Sequence, residues 1–284
     1  MPNTISSRTF RDKYRLTTLD QALRTRLVAE KICLVDRSDN LRIQSPYGST
    51  PTVVVQALSG TYAVADYTTT DDTLTVTDEF IVAEHVRDFE STLSNFDLFA
   101  SRFDIMTANV AITVDKYVLN SVAKNGTGTY TTAVGGFSTV ANVNKIFGDL
   151  IALVSGYAEM YNGLYLVIET TEMSGLIQAQ AINGFNYADS ALKNGFMTNY
   201  MGVDIYVVRP STFVTATIGT VAFTNSGKRI FGVKNMSTYA SPRGINTEEK
   251  EVSLKTGKEI VVYGYIGHKF WAPKTALGVT ITLA

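Results

Sequence analysis

The stretch FDLFASRFDIMTANVAITVDKYVLNSVAK, residues 96–124, decides the fold of this chain. Its apolar side chains recur at spacings of three and four, which predicts one amphipathic helix. Ser94 or Asn95 suits the N-cap, and Gly126 and Gly128 end the pattern. At about 1.5 Å per residue the helix is a rod on the order of 43 Å long, well over twice an ordinary globular helix. We expect it to pack along a sheet, because the run covers only about four heptads and makes a poor coiled coil.

The composition indicates a protein with extensive contacts to other chains. Of 284 residues, 45% are apolar and only 18% are charged, and there are 15 Tyr and 14 Phe. The charged fraction is below the ~25% of an average soluble domain, and aromatic side chains are favoured in interface cores. A monomer with a large aromatic core is the competing interpretation. The net charge of −1 provides no global field that would attract nucleic acid or a membrane.

The cysteine content and the N-terminus predict the compartment. Cys33 is the single cysteine, so no internal disulfide forms, and its expected role is that of a small buried apolar residue. No apolar run reaches the roughly 18 residues that span a bilayer, and the N-terminus lacks the apolar core of a signal peptide. We therefore expect a protein that is made and used in a cytoplasm, away from membranes.

Residues 1–31 are basic, with seven Arg and Lys against three Asp and Glu, a net charge of +4. Their leucines recur at helical spacing: Leu16, Leu19, Leu23 and Leu27. Four leucines on one face exceed what a solvated terminus requires, which favours an arm that lies on a neighbouring subunit. Basic residues attract phosphate, but the segment lacks the interleaved aromatics of a base-stacking platform, so only non-specific contact with nucleic acid is expected.

The segments on either side of the long helix are predicted as follows. Before it, Thr52–Ala57 is a β-branched run, Thr68–Thr73 is an exposed loop, and strands resume at Leu74. Such a polar hairpin buries little by itself, so it folds onto its own body or rests on a partner. After the helix we predict a Gly/Thr/Ser loop at 126–141, helices at 143–161 and 171–182, buried strands at 164–169 and 203–208, and then strands near 222–223, 229–233, 250–254, 259–265 and 278–283.

Signals for catalysis are weak throughout the chain. His85 and His268 are the only histidines, and each lies in a predicted strand without a second ligand at metal-binding spacing. Glu169 and Glu172 form a carboxylate pair at a strand end, which is not sufficient for an acid–base site. Three glycine-rich turns fail to complete a phosphate-binding loop, at residues 126–128, 226–228 and 256–258. We expect no catalytic residues, no metal, no cofactor and no enzymatic activity.

The order of parts (basic arm, polar hairpin, long helix, α/β layer, return to β) resembles the major capsid protein of tailed double-stranded DNA bacteriophages, which has the Hong Kong 97-type capsid fold. Residues 53–97, VVVQALSG to SNFD, are similar to that family's extended loop returning into its spine helix. VDKYVLNSVAKNG, residues 114–126, is similar to the end of the spine helix. MGVDIYVVRPST, residues 201–212, resembles a strand that the family carries after a helix.

The resemblance implies an α+β fold in four parts: an N-terminal arm (1–35), an extended loop with flanking strands (36–82), a peripheral domain with the spine helix (83–126 and 221–262) and an axial domain (127–220 and 263–284). It implies pentamers and hexamers that close an icosahedral head shell around the phage double-stranded DNA genome. The implied inter-subunit contacts are Arg8, Arg11, Leu16, Leu19, Leu23, Tyr47, Tyr62, Tyr67, Arg243, Glu248, Glu249 and Lys250.

The resemblance also implies a virion protein that is assembled in the host bacterial cytoplasm. Its partners would be further copies of the chain, packaged DNA contacted non-specifically, and scaffolding, portal and decoration proteins. The chain begins directly at the arm, so we expect a separate scaffolding protein or none. Some relatives form Lys–Asn cross-links, but the residues give no basis for choosing a pair here.

Two other functions fit the same sequence. An encapsulin-like bacterial compartment would keep the fold and enclose enzymes, and a monomeric α/β enzyme would not assemble. The polar loop and the basic arm favour the phage shell, because a compartment requires an apolar groove for cargo peptides on its inner face.

Overall fold

The computed structural model describes residues 27–48, 60, 68–86, 98–182, 199–242, 244–251 and 258–284. The helices are α1 (Ala29–Ile32), α2 (Leu98–Asn125), α3 (Val140–Val154) and α4 (Met173–Ile182). The strands are β1 (Leu34–Asp36), β2 (Arg42–Gly48), β3 (Thr69–Thr75), β4 (Asp78–Val86), β5 (Gly128–Thr131), β6 (Leu164–Glu169), β7 (Asn199–Tyr200), β8 (Val203–Val208), β9 (Thr215–Ile218), β10 (Val221–Thr224), β11 (Lys228–Val233), β12 (Ser237–Ala240), β13 (Ile245–Glu251), β14 (Lys258–Phe270) and β15 (Gly278–Thr282).

Helix α2 is the long helix that the sequence predicts, and its bounds agree with the prediction to within two residues. The proposed caps Ser94 and Asn95 lie outside the described residues. From Met106 onward one face of α2 is buried, including Val110, Val114 and Val118. The helix packs against β4 and β14 on one sheet and against β11 and β15 on another. Burial of each valine side chain contributes roughly 1.5–3 kcal/mol to the stability of the fold. Since α2 packs against both sheets, this burial holds the two sheets together.

The larger sheet has six strands in the order β5-β15-β11-β6-β8-β7. All six residues of β6 are buried, as predicted for LYLVIE, and β6 runs parallel to β8 and antiparallel to β11. Helix α3 places Val143, Ile146, Phe147 and Leu150 in the core. It ends at Val154 and a 3-10 turn follows, so the helix predicted for 143–161 is shorter than expected.

The second sheet is built on β14, which has thirteen residues. Its strand order is β1-β12-β14-β13, and β4 also pairs with β14. The last part of β14 pairs with β12, while its first part lies between β13 and β4. The face that carries Phe80 and Val262 packs toward α2, and the opposite face carries Ile81 and Tyr263.

Two loop predictions were wrong. Thr68–Thr73 was expected to be an exposed loop, but β3 covers most of it and pairs with β2 as an antiparallel ribbon. Residues 126–141 were expected to be a loop, but β5 pairs in parallel with β15. Both strands form through backbone hydrogen bonds: β5 pairs with β15, which is distant in sequence, and β3 pairs with the polar strand β2. The pattern of apolar and polar side chains does not reveal such pairing. The predicted run Thr52–Ala57 lies outside the described residues.

The four-part division implied by the resemblance stays a prediction, and strand pairing groups three of its segments differently. Residues 27–35 were assigned to the arm, yet Leu27, Ala29 and Ile32 are buried and β1 pairs with β12. β11 was placed in the peripheral domain, but it is a central strand of the six-stranded sheet. Residues 263–270 were placed in the axial domain, but they continue β14 in the other sheet. Strand pairing, rather than sequence order, decides which sheet each segment joins.

Candidate functional site

Glu169 and Glu172, the one carboxylate pair noted in the sequence, are both bound by Arg229. The Arg229 guanidinium donates through Nη2 to Glu169 at 3.0 Å and through Nε to Glu172 at 2.9 Å, with a second bond from Nη2 to Glu172. All three side chains are buried, and Arg229 is only 4% exposed. The Arg229 guanidinium also lies 5.6 Å from the centre of the Phe213 ring.

This buried cluster connects four parts of the chain. Glu169 ends β6 and accepts hydrogen bonds from the backbone N–H groups of Thr212 and Phe213. Glu172 accepts from the backbone N–H of Glu169, which completes a capping box at the 3-10 turn before α4. Arg229 belongs to β11. Since both carboxylates are engaged by a cation and by backbone donors, the cluster joins structural elements and is not arranged for proton transfer.

A second group of buried polar contacts fixes α2 to the segment 212–225. The Asn120 side chain donates to the carbonyl of Thr212 and accepts from the backbone N–H of Val214 and the Asn225 amide. Asp78, at the start of β4, accepts hydrogen bonds from Tyr117 of α2 and from the backbone of Thr220. The two hydrogen bonds of Asp78 hold together residues that lie about 40 to 140 positions apart in the sequence.

Asp115 of α2 holds the first described residues of the chain. Its carboxylate accepts hydrogen bonds from the backbone N–H groups of Val28 at 3.0 Å and Ala29 at 2.9 Å, at the start of α1. Burial raises the pKa of Asp115 to about 6, although the two backbone donors favour the charged form. This contact attaches the base of the basic arm to α2.

An open groove of about 530 Å³ lies beside this attachment. Its lining comes from the arm base, from one side of α2 and from the end of β8 with the residues that follow: Val28, Lys31, Ala108, Ala111, Ile112, Asp115, Tyr206, Val207, Val208, Arg209 and Thr212. The walls are mostly apolar, and the cations Lys31 and Arg209 are part of the lining. The Asp115 carboxylate belongs to the same lining, so the groove is mostly apolar with charged groups of both signs.

The two histidines lie in strands, as predicted, His85 in β4 and His268 in β14. Burial lowers the pKa of His268 to about 3, and its Nδ1 lies 2.9 Å from the Ser121 hydroxyl. Among the described residues, no group of three or more His, Cys, Asp and Glu side chains is placed to hold a metal ion. Within the same part of the chain, no helix has the length and apolar character to cross a membrane.

Four of the twelve predicted contact residues lie in described elements. Tyr47 is half-buried in β2, and Glu248 in β13 accepts a hydrogen bond from the Tyr263 hydroxyl at 2.9 Å. Glu249 and Lys250 follow Glu248 in the same strand. Arg8, Arg11, Leu16, Leu19, Leu23, Tyr62, Tyr67 and Arg243 lie outside the described residues. Sequence reasoning did not select Asp115 or Arg229, whose roles depend on burial and on partners far away in sequence.

Comparison with known proteins identifies the fold. No family model matches the chain, and no curated protein matches it in sequence. Solved structures do match. The capsid of cyanophage P-SCSP1u has 15% sequence identity and a TM-score of 0.69, over 91% of this chain and 88% of that chain. A Mycobacterium phage Che8 structure has 16% identity and a TM-score of 0.67, over 90% of both chains.

A virus-like particle from Pyrococcus furiosus is similar as well. It has 11% identity and a TM-score of 0.63, over 94% of this chain and 98% of that chain. These likenesses cover nearly the whole of each chain at low identity. The fold predicted from the resemblance is confirmed, because the chain has the α+β fold of Hong Kong 97-type capsid proteins.

Proposed function

We propose that this protein is a major capsid protein of a tailed double-stranded DNA bacteriophage. Copies of the chain form pentamers and hexamers that close an icosahedral head shell around the genome. The observation that carries the proposal is the match of nearly the whole chain to the capsid of cyanophage P-SCSP1u. A low charged fraction and abundant aromatic residues support it, since most of the perimeter of a shell subunit is interface.

Each part of the fold then has a role in the shell. The arm precedes residue 27, the ribbon β2–β3 is the base of the extended loop, and α2 is the spine helix. The sheet built on β14 belongs to the peripheral domain, and the six-stranded sheet belongs to the axial domain. The buried contacts of α2 support this division, because Asn120 bonds the segment 212–225 beside the six-stranded sheet and Tyr117 bonds Asp78 of β4 in the other sheet. A rigid subunit of this kind tiles with copies of itself.

The proposal includes partners and location. The subunit contacts other copies of itself through the arm, the extended loop and the strand that carries Glu248, Glu249 and Lys250. Packaged DNA is contacted non-specifically, and scaffolding, portal and decoration proteins are further partners. The protein is assembled in the host bacterial cytoplasm and resides in the virion. Its role is structural and not enzymatic, which the engagement of Glu169 and Glu172 by Arg229 supports.

A compartment that encloses protein cargo is the second candidate. The groove between the arm base and α2 supports it, because an apolar groove with cationic lining residues could take a cargo peptide. The likeness to the Pyrococcus furiosus particle is compatible with either function, since its name gives no cargo.

The contents of purified particles separate the two candidates. Particles from the native source would be treated with nuclease and protease, opened, and examined for nucleic acid and for protein. A phage head yields nuclease-protected double-stranded DNA of genome length. Protected enzyme without DNA would support the compartment and contradict the phage proposal. A stable 31 kDa monomer at micromolar concentration under all conditions would contradict both.

A further inference from the structure

Two asparagine–glycine pairs lie in the described part of the chain, Asn125-Gly126 at the end of α2 and Asn162-Gly163 before β6. Two further pairs, at 183–184 and 194–195, lie outside the described residues. Asparagine loses its side-chain amide most easily when glycine follows it, because glycine has no Cβ to shield its backbone nitrogen and its backbone bends freely. Both asparagines are exposed to solvent, so exposure alone does not distinguish the two pairs.

The pair at the end of α2 is held by the helix. The Gly126 N–H donates to the Val122 carbonyl at 3.0 Å, which continues the helical pattern of hydrogen bonds. The Asn125 side-chain amide donates to the Ser121 hydroxyl at 3.1 Å. Gly126 also lies against another segment, since a β carbon on it would come within 2.6 Å of the Gly278 carbonyl oxygen. The backbone nitrogen and the side-chain amide of this pair are therefore both engaged.

The pair before β6 is held more weakly. Asn162 is the last residue of the 3-10 turn Ala158–Asn162, in which no residue is fully buried. The Gly163 N–H donates to the Met160 carbonyl at 3.2 Å, and the Asn162 side-chain amide forms no hydrogen bond within the described part of the chain. Apart from its chain neighbours, a β carbon on Gly163 would meet no atom closer than 3.7 Å. Hydrogen-bond geometry in 3-10 turns is poor, so such a turn opens locally at low cost.

An open turn allows the Gly163 nitrogen to attack Cγ of Asn162. A bond forms between these two atoms, the Cγ–Nδ2 bond breaks, and the proton of the Gly163 nitrogen leaves with Nδ2 as ammonia. Water then opens the cyclic imide at one of its two carbonyl carbons. Opening at Cγ gives aspartate, and opening at the backbone carbonyl gives isoaspartate, whose main chain runs through Cγ. Water is the only co-reactant, and no atom is oxidised or reduced.

We propose that Asn162 is a site of spontaneous deamidation in the folded subunit, and that it reacts faster than Asn125. The product adds one carboxylate to a chain whose net charge is −1. Its isoaspartate form also lengthens the main chain immediately before the buried strand β6. The inference goes beyond the proposed shell function and does not depend on it, because the reaction needs only this turn and water.

Peptide mass spectrometry of the purified full-length chain tests the proposal. The chain is kept at mildly alkaline pH in water enriched in ¹⁸O, and fragmentation assigns each conversion to one asparagine. Ring opening in this water should leave an ¹⁸O atom in the new carboxylate, which separates it from earlier conversion. The rate at Asn162 should exceed that at Asn125 by about fivefold to thirtyfold, because freeing the α2 pair breaks one more hydrogen bond and its contact with Gly278.

Two controls separate the effect of the fold from that of the sequence. In urea neither turn is formed, so the two pairs should convert at similar rates. Asn162→Gln keeps an exposed amide, but its longer side chain would have to close a larger ring, so position 162 should stay unchanged. The rate at Asn125 should be the same in this variant as in the parent chain, and thermal unfolding should show that the variant is folded.

Three results would overturn the inference. The first is an Asn162 that keeps its amide in the folded chain while the unfolded chain converts. The second is an equal rate at Asn125 and Asn162 in the folded chain. The third is a ratio of the two rates that is the same with and without urea, because the turn would then have no influence. Each of these results would leave the shell function intact.

Discussion

β6 and β4 belong to different sheets, and the two strands differ in how far they are buried. All six residues of β6 are buried, and strands pair with it on both sides. β4 alternates between buried and exposed residues along its first six positions, and one of its edges meets no strand in the described part of the chain. The six-stranded sheet thus completes its centre within one chain. In the sheet built on β14, one edge of β4 has no strand partner among the described residues, and Ile81 is exposed.

The charged residues of the two sheets differ in the same way. In the six-stranded sheet, Arg229, Glu169 and Glu172 are buried together and satisfy one another. In the other sheet, Glu79 is exposed and Glu248 is half-buried. Buried charges such as those of Arg229 and its two glutamates affect the stability of the fold, whereas partly exposed charges contribute little to the stability of a single chain. The first sheet should therefore decide stability, and the second should decide assembly.

Val110→Pro should have the largest effect, because α2 supports both sheets. Proline inside a helix costs about 3 kcal/mol or more, and Val110 is 1% exposed. We expect the variant not to fold, as judged by loss of the cooperative thermal transition in circular dichroism. Val110→Ala is the control, since it shortens the same side chain without breaking the helix. A soluble Val110→Pro protein that assembles would show that α2 is not the spine of the fold.

Arg229→Met should cost about 3–5 kcal/mol of unfolding free energy, because it leaves two buried carboxylates without their cation. Urea titration of the isolated subunit measures this loss. The control combines the substitution with Glu169→Gln and Glu172→Gln, which removes the buried negative charges and should recover a large part of the stability. If the single and triple variants are equally unstable, the charge balance of the cluster is not what stabilises this sheet.

Protonation of His268 should destabilise the subunit in mild acid. Burial holds its pKa at about 3, below the ordinary value of 6.5, so between these pH values the unfolded chain binds a proton that the folded chain does not. Stability is then fully present above pH 6.5 and falls as the pH drops. By pH 5 the loss is on the order of 2 kcal/mol.

Protonation of Asp115 changes the stability of the subunit in the opposite direction, over part of the pH range in which His268 acts. Its raised pKa of about 6 means that the folded chain retains a proton that the unfolded chain has lost between pH 4 and 6, so stability decreases as the pH rises through that window. Denaturation curves of His268→Gln and Asp115→Asn should separate the two contributions. A parent chain and a His268→Gln variant with the same pH dependence would contradict the account of His268.

Deletion of residues 1–26 should have the smallest effect on stability. The described core begins at Leu27, and the Asp115 hydrogen bonds to Val28 and Ala29 remain. We expect a change in unfolding free energy within about 0.5 kcal/mol, as for surface changes. Particle yield should nevertheless fall, because the arm contacts a neighbouring subunit. Unchanged yield of particles from the truncated chain would contradict this role.

The sequence predicted those elements whose pattern is local. Residues 98–125 show helical spacing throughout, and Leu164–Glu169 is a continuous apolar run, so both were identified correctly. β5 was missed because its residues are Gly, Thr and Tyr and its partner β15 follows about 150 residues later. β3 was missed because its polar residues resemble a loop and its backbone pairing with β2 is not visible in side chains.

The functional features were less accessible from sequence. Glu169 and Glu172 were noted as a pair, but Arg229, which defines their role, lies 57 residues after Glu172. Asp115 was part of the stretch that carried the resemblance, but its contact with Val28 spans 87 positions. That one edge of β4 has no partner among the described strands depends on how distant strands pair. Such features belong to the folded arrangement and have no signature in spacing.

Electron microscopy of the purified full-length chain tests the central claim most directly. The account predicts pentameric and hexameric rings and closed icosahedral shells, in which the sheet built on β14 contacts the neighbouring subunit. Fields of monodisperse 31 kDa particles across conditions of protein concentration and salt, with no rings or shells, would contradict it.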